Sequence, residues 1–170
     1  MEWTRIDPER HLPRIAEFFN AVWNRRDDSV LGRFSRHASH DGYIGYMIED
    51  GDGIVGFAYG YRSAPGQFFN GLVKGFLDAQ VYDEWMSDCF EIPELAVRAD
   101  MRRRGYGTAL LARLLDETDA KTAVLATQAD NKPARGLYER AGWQVIHEPY
   151  YPFGPDQPFV LLGKKLPAAG

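Results

Sequence analysis

Leu12, Ile15, Ala16, Phe19 and Val22 recur at helical spacing, which predicts an amphipathic helix through about residue 24. Asp7-Pro8-Glu9 marks its start, with Asp7 as cap and Pro8 in the first turn. Residues 2–6 read as a short strand, and a weaker helix is predicted from about Ser29 to Arg36. Residues 43–49 and 53–62 alternate or run apolar on either side of Glu49-Asp50-Gly51-Asp52-Gly53, a hairpin pattern. A helical pattern covers residues 69–79, and acids and aromatics follow it. Beyond these lie a strand at 90–98, a helix at 107–117, a strand at 121–127 and a helix at 132–141. Two strands near 143–147 and 158–165 close the chain. Hairpins at both ends around a βαβ-like middle define a mixed α/β (α+β) class.

The 170 residues fit one domain, expected to cover 1–170. Hydrophobic residues at 45% and charged residues at 26% are in globular balance. A net charge of -4 removes the general pull toward nucleic acid or an anionic membrane. The dense basic run Arg102-Arg103-Arg104 is too local to reverse this and suits a small phosphorylated ligand. The single cysteine, Cys89, excludes an intramolecular disulfide and a thiolate zinc cluster, and fits a reducing compartment. No signal-peptide pattern opens the chain, and no apolar run reaches the roughly 18 residues of a membrane span. A soluble cytoplasmic protein is expected, with no nucleic-acid or membrane partner. His37 and His40 share helical spacing but suggest no third ligand. They are expected at the surface, and no metal is expected. His147 falls on a predicted strand without an identifiable partner, and Cys89 reads as a small buried residue.

The informative stretch runs from Glu94-Leu95-Ala96-Val97 through Arg102-Arg103-Arg104-Gly105-Tyr106-Gly107-Thr108 into a helix with Leu110, Leu111, Leu114 and Leu115 as its apolar stripe. The first N–H groups of a helix have no partner inside it, and the helix dipole adds partial positive charge there. Glycines let the backbone approach an anion closely. Strand, basic glycine turn and helix therefore can make a phosphate cradle, or can simply make a bend. A P-loop would need Lys and then Ser or Thr after the second glycine, but Thr108 follows Gly107 directly. Gly51-Asp52-Gly53-Ile54-Val55-Gly56 has dinucleotide-motif spacing, yet leads into a strand and reads as a hairpin turn.

Arg102-x-x-Gly105-x-Gly107 after an Glu-Leu-x-Val strand resembles the pyrophosphate-binding motif of the GNAT superfamily of N-acetyltransferases. Asn131-Lys132-Pro133-Ala134-Arg135-Gly136-Leu137-Tyr138-Glu139-Arg140-Ala141-Gly142-Trp143 resembles that family's second signature, with Trp143 in place of the usual Phe. The resemblance covers roughly residues 42–165 and is sharpest over 94–143; the first forty residues share only a helical pattern. It implies a central, mostly antiparallel sheet of six to seven strands flanked by helices, with two central strands splayed to make a cofactor slot.

For chemistry, the resemblance implies direct transfer from acetyl-CoA to a primary amine in a ternary complex, without metal. Backbone N–H groups from about Arg103, Arg104, Gly105, Tyr106 and Gly107 to Thr108 would hold the coenzyme A pyrophosphate, and Arg102 would fix the loop. Leu95, Ala96 and Val97 would pair with the pantetheine amides, with an N–H near Ala96 or Val97 stabilising the oxyanion. Asn131 would contact the cofactor arm. Tyr138 occupies the family's position for the general acid; read without the resemblance, it is a packed aromatic on the stripe Ala134, Leu137, Tyr138, Ala141. Glu94 is the first candidate for the general base and Glu91 the second. Three apart, they would face opposite sides of a regular strand, although Pro93 argues against regular pairing. A non-catalytic acyl-CoA-binding sensor or scaffold, or an enzyme with another acyl donor, is the alternative.

The acceptor is expected to be a small-molecule or peptide amine. Asp78, Asp83, Glu84, Asp88, Glu91 and Glu94 lie in a stretch without Lys or Arg, interleaved with Tyr82, Trp85 and Phe90. Tyr150, Tyr151 and Phe153 add aromatics. Such a set would suit a cationic amine, or is a charged surface over packed aromatics. Homodimers are common in the family, although no diagnostic interface stands out.

Overall fold

Asp7 does cap the first helix: its side chain accepts the Arg10 N–H, and Pro8 opens the helix. The computed structural model describes residues 1–167. In chain order they form β1 (Glu2–Arg5), α1 (Pro8–Val22), α2 (Val30–Ala38), β2 (Ile44–Asp50), β3 (Gly53–Arg62), α3 (Phe68–Phe76) and α4 (Ala79–Met86). Then come β4 (Cys89–Val97), a single 3-10 turn (Ala99–Met101), α5 (Tyr106–Glu117), β5 (Thr122–Gln128), α6 (Lys132–Arg140), β6 (Gln144–Tyr150) and β7 (Phe159–Lys165). The expected mixed fold has a seven-stranded sheet in the order β1-β2-β3-β4-β5-β7-β6. Among the described residues, no helix is long and apolar enough to cross a membrane.

The described residues form two compact units, residues 1–61 with 92–118, and residues 62–91 with 119–167. In the first, β1 pairs antiparallel with β2 and β2 with β3. The apolar stripe of α1 (Leu12, Ile15, Phe19) and Phe34 of α2 pack on Phe57, Tyr59 and Ala96. Leu110, Leu111 and Leu114 of α5 are buried as their spacing predicts, whereas Leu115 is only half-buried. Gly56 lets β3 pass close to β4: an added Cβ would lie 2.9 Å from the Ala96 carbonyl oxygen.

In the second unit, β5 and β6 flank β7 antiparallel, while β4 runs parallel to β5. That parallel register covers three pairs, from Cys89 with Thr122 to Glu91 with Val124. Val73, Trp85, Met86, Cys89, Val124, Tyr150 and Leu161 form the core. Gly163 permits it, since a Cβ there would meet Ile146 at 2.5 Å and Trp85 at 2.6 Å.

The helical pattern over 69–79 divides into two helices. Leu77 takes an extended conformation, and the Asp78 carboxylate accepts the Val81 N–H at 3.0 Å. An aspartate at that position nucleates a new helix, so the acids and aromatics after it are helical. Pro93 does not interrupt β4.

Candidate functional site

In the first unit, β4 delivers Glu94 to a place where its side chain is only 16% exposed. Its carboxylate accepts a hydrogen bond from Arg33 Nη2 at 3.2 Å. Burial pushes the Glu94 carboxyl up to about 7, against the opposing pull of Arg33 and, more weakly, Arg25. Rings of Phe19 and Phe34 lie 5.5 and 5.4 Å from the Arg33 guanidinium. Tyr59, fully buried on β3, also feels the Glu94 charge. Its hydroxyl is 2.7 Å from His37 Nδ1. His37 is therefore no surface histidine: burial first, and then Arg33, His40 and Arg36, lower it to about 4. It is neutral at pH 7 and half-buried, because α2 turns it inward onto Tyr59 and Tyr61.

From β4 the chain passes into the predicted turn. Leu95 and Val97 are half-buried and Ala96 is buried, so this part of the strand offers chiefly backbone. Arg102 Nε donates to the Val97 carbonyl at 3.2 Å, tying the loop to the strand it leaves, and its guanidinium lies 5.9 Å from the Trp23 ring. Arg103 at φ 63° and Gly105 at φ 85° are both left-handed. The two kinks bring the chain abruptly onto the α5 axis, which is why a glycine suits position 105. No side chain caps α5. Among the described residues, the first N–H here to find a backbone acceptor is that of Ala109, on Gly105 at 2.9 Å. Arg102, Arg103 and Arg104 are exposed around those N–H groups, Tyr106 is half-buried and Gly107 buried, and Thr108 is exposed. The turn thus concentrates donors and positive charge.

In the second unit, Glu91 is 2% exposed and ends a chain of hydrogen bonds. Tyr82 Oη donates to Asn70 Oδ1 at 2.7 Å, Asn70 Nδ2 to Ser63 Oγ at 3.0 Å, and Ser63 Oγ to Glu91 Oε1 at 3.2 Å. Every donor points toward the carboxylate, an arrangement suited to an anion. Tyr138, on α6, is buried with its ring edge-on to Trp143 at 5.9 Å. Burial pushes its hydroxyl up to about 12, so it stays protonated. Asn131 caps α6, accepting the Ala134 N–H at 3.2 Å. The buried Cys89 thiol is likewise pushed up to about 12 and is inert. His147 does have a neighbour, the Phe76 ring at 4.8 Å.

Most acids of the run 78–94 already have partners. Asp78 is a helix cap, Glu84 pairs with Lys165 at 3.0 Å, Asp88 pairs with Arg62, and Glu94 pairs with Arg33. Among the described residues, no group of three His, Cys, Asp or Glu is placed to hold a metal ion. Arg33, Tyr59, Ser63 and Asn70 were not singled out from sequence. Only Asn70 carried a signal, as a polar residue in the apolar stripe Phe69, Val73, Phe76.

A family model described as the acetyltransferase (GNAT) family matches residues 9–143. The chain belongs to the GNAT acetyltransferase family. It is 34% identical over 123 residues to a GCN5-like protein acetyltransferase of Mycobacterium tuberculosis, a match covering 67% of this chain and 59% of that protein. It is 35% identical over 88 residues to the ribosomal protein bS18 alanine N-acetyltransferase of Escherichia coli, covering 49% of this chain and 57% of that one. The matches thus span less than two thirds of either relative. Among solved structures, an aminoglycoside 6'-N-acetyltransferase complexed with coenzyme A superposes with a TM-score of 0.73 at 15% identity over the whole of both chains. NAA60 of Arabidopsis thaliana in complex with acetyl-CoA gives 0.67 at 18% identity, covering 96% of this chain and 97% of that one. At such identities these likenesses show the fold.

Proposed function

We propose that the protein transfers an acetyl group from acetyl-CoA to a primary amine, with the whole chain serving as one acetyltransferase domain. The observation that carries this is the uncapped, arginine-rich start of α5, opened by left-handed Arg103 and Gly105 directly after the Glu94–Val97 strand. Such a start fits a pyrophosphate: free N–H groups and a positive dipole end meet an anion without needing a lysine. Family membership and the coenzyme A and acetyl-CoA in related folds support the same donor.

In this reading the N–H groups of Arg103 to Thr108 hold the pyrophosphate, and Arg102 holds the loop through Val97. Leu95, Ala96 and Val97 align the pantetheine through their backbone, and Asn131 steadies the arm while capping α6. The bound donor supplies an acetyl thioester. Glu94 accepts a proton from the attacking amine as the N–C bond forms and the C–S bond breaks. Tyr138 donates a proton to the departing sulfur and regains one from solvent, to which Glu94 releases its own. A carboxyl near 7 is about half ionised at neutral pH, the poise that suits a base. Glu91, held by Ser63, is the second candidate for that role, or a fixed anionic anchor.

The acceptor is a small-molecule or peptide amine. Most acids that would have attracted a polycation are already paired or capping, which weighs against a strongly cationic acceptor. A reducing cytoplasm suits the lone thiol of Cys89. The test is thiol release from acetyl-CoA across an amine panel, with the product identified by mass. Acetyl-CoA that binds but is never turned over, with any amine, would mark a sensor or scaffold instead.

A further inference from the structure

Arg33 has more donors than partners. Of the five N–H groups of a guanidinium, the hydrogen bond to Glu94 runs through Nη2. Nε is buried with no partner among the described residues. The side chain is 33% exposed, so part of the fork is reachable, and the rings of Phe19 and Phe34 line its other side. The charges facing this place are mostly positive. Arg33 and Arg25 both act on Glu94, and Arg33 and Arg36 act on the neutral His37 beside Tyr59. Arg33 and Arg25 also act on the Asp27 carboxylate, so two carboxylates stand among three guanidiniums, a net positive setting that is the reverse of a polycation site.

We propose that the acceptor is an α-amino acid, whose carboxylate is taken by Arg33 while its amino group is presented to Glu94. This rests on the acetyl-transfer reading and deepens it. Arg33 Nη2 and Glu94 Oε1 are 3.2 Å apart, so the groups that replace their mutual contact must be close neighbours on the ligand. An α-amino acid carries both on one carbon; a lysine side chain or an ω-amino acid does not. Guanidinium forks bind carboxylates with paired N–H donors, which a carboxamide matches poorly. Movement of Arg33 from Glu94 to the incoming carboxylate also frees the Glu94 oxygen to take the amine proton. The amine nitrogen then forms the N–C bond to the acetyl carbonyl carbon of acetyl-CoA, the C–S bond breaks, and the sulfur leaves with the proton that Tyr138 donates in the proposed reaction. The product is an N-acetyl amino acid.

The test compares kcat/KM for free L-α-amino acids, each beside its own α-carboxamide, with an N-terminal dipeptide amide and spermidine as further probes. At least one free acid should be preferred over its carboxamide by about 10- to 100-fold, the usual worth of a charge-assisted hydrogen bond. Arg33→Lys, which keeps the charge and loses the fork, should abolish that preference while acetyl-CoA still binds by calorimetry. Equal or faster acetylation of carboxamides overturns the proposal. So does retained acetyl-CoA binding with no free amino acid accepted, or a preference that survives in Arg33→Lys. Absence of acetyl-CoA binding in the wild-type protein is a different failure, and removes the acetyltransferase reading and this proposal together.

Discussion

Replacing Arg33 with methionine removes the guanidinium 3.2 Å from Glu94 and leaves an apolar stem of similar reach between Phe19 and Phe34. Two opposed effects set the Glu94 carboxyl near 7: burial raises it, and Arg33 is the largest influence lowering it. An opposite charge at this range typically lowers a carboxyl by about 1–3 units. Without Arg33 the carboxyl should rise further above 7. The sign follows directly. A base works when deprotonated, so wild-type kcat/KM should climb as pH rises through about 7. In Arg33→Met that limb should move to higher pH. At pH 7 the ionised fraction falls from about half to roughly 0.1–10%, so the rate drops by about 5- to 500-fold and recovers in alkali. The assay is the pH dependence of kcat/KM by thiol release. Arg25→Met, which removes a weaker influence, should move the limb less. An unmoved limb in Arg33→Met, or a limb that vanishes in Glu91→Gln and persists in Glu94→Gln, would refute Glu94 as the base.

Tyr138→Phe removes only a buried hydroxyl; kcat should fall by about 10²- to 10⁴-fold while the acetyl-CoA Kd is kept. Equal losses in both would make it a packing residue. Ser63→Ala deletes the hydroxyl between Asn70 and Glu91 and leaves Asn70 Nδ2 without its acceptor. A loss of about 1–3 kcal/mol in denaturant unfolding is expected, and a neutral result would mean water replaces the serine. Gly56→Ala sets a methyl 2.9 Å from the backbone oxygen of Ala96, and should cost about 1–3 kcal/mol by thermal melting.

The strands, the long helices and the basic glycine turn before α5 were legible because each rests on local pattern. Period-2 and period-3.6 runs mark elements, and Arg102 to Thr108 lie within one loop and its helix start. The helix after residue 78 was obscured because its acids and aromatics show no clean stripe, and its start depends on a single capping aspartate. The partners of the candidate acids were illegible for another reason. Arg33 reaches Glu94 across 61 positions of sequence, and Ser63 reaches Glu91 across 28. No periodicity encodes such pairs. His37 shows the same: its burial comes from Tyr59 on another element. Both acids could nonetheless be named as candidates from sequence, since β4 leads directly into the motif.

The most direct measurement is calorimetric titration of acetyl-CoA into the wild-type protein and into Gly105→Val. Position 105 has φ 85° with open space where a Cβ would stand, so the substitution acts through backbone strain at the turn and not through a clash. That strain is worth about 1–2 kcal/mol, a loss that a melting curve would show the fold survives. Saturable binding to the wild type, weakened about tenfold or more in a folded variant, would place the donor on the Arg103–Thr108 N–H groups. No binding to the wild type, or equal binding to both, would contradict the assignment of this turn as the pyrophosphate site.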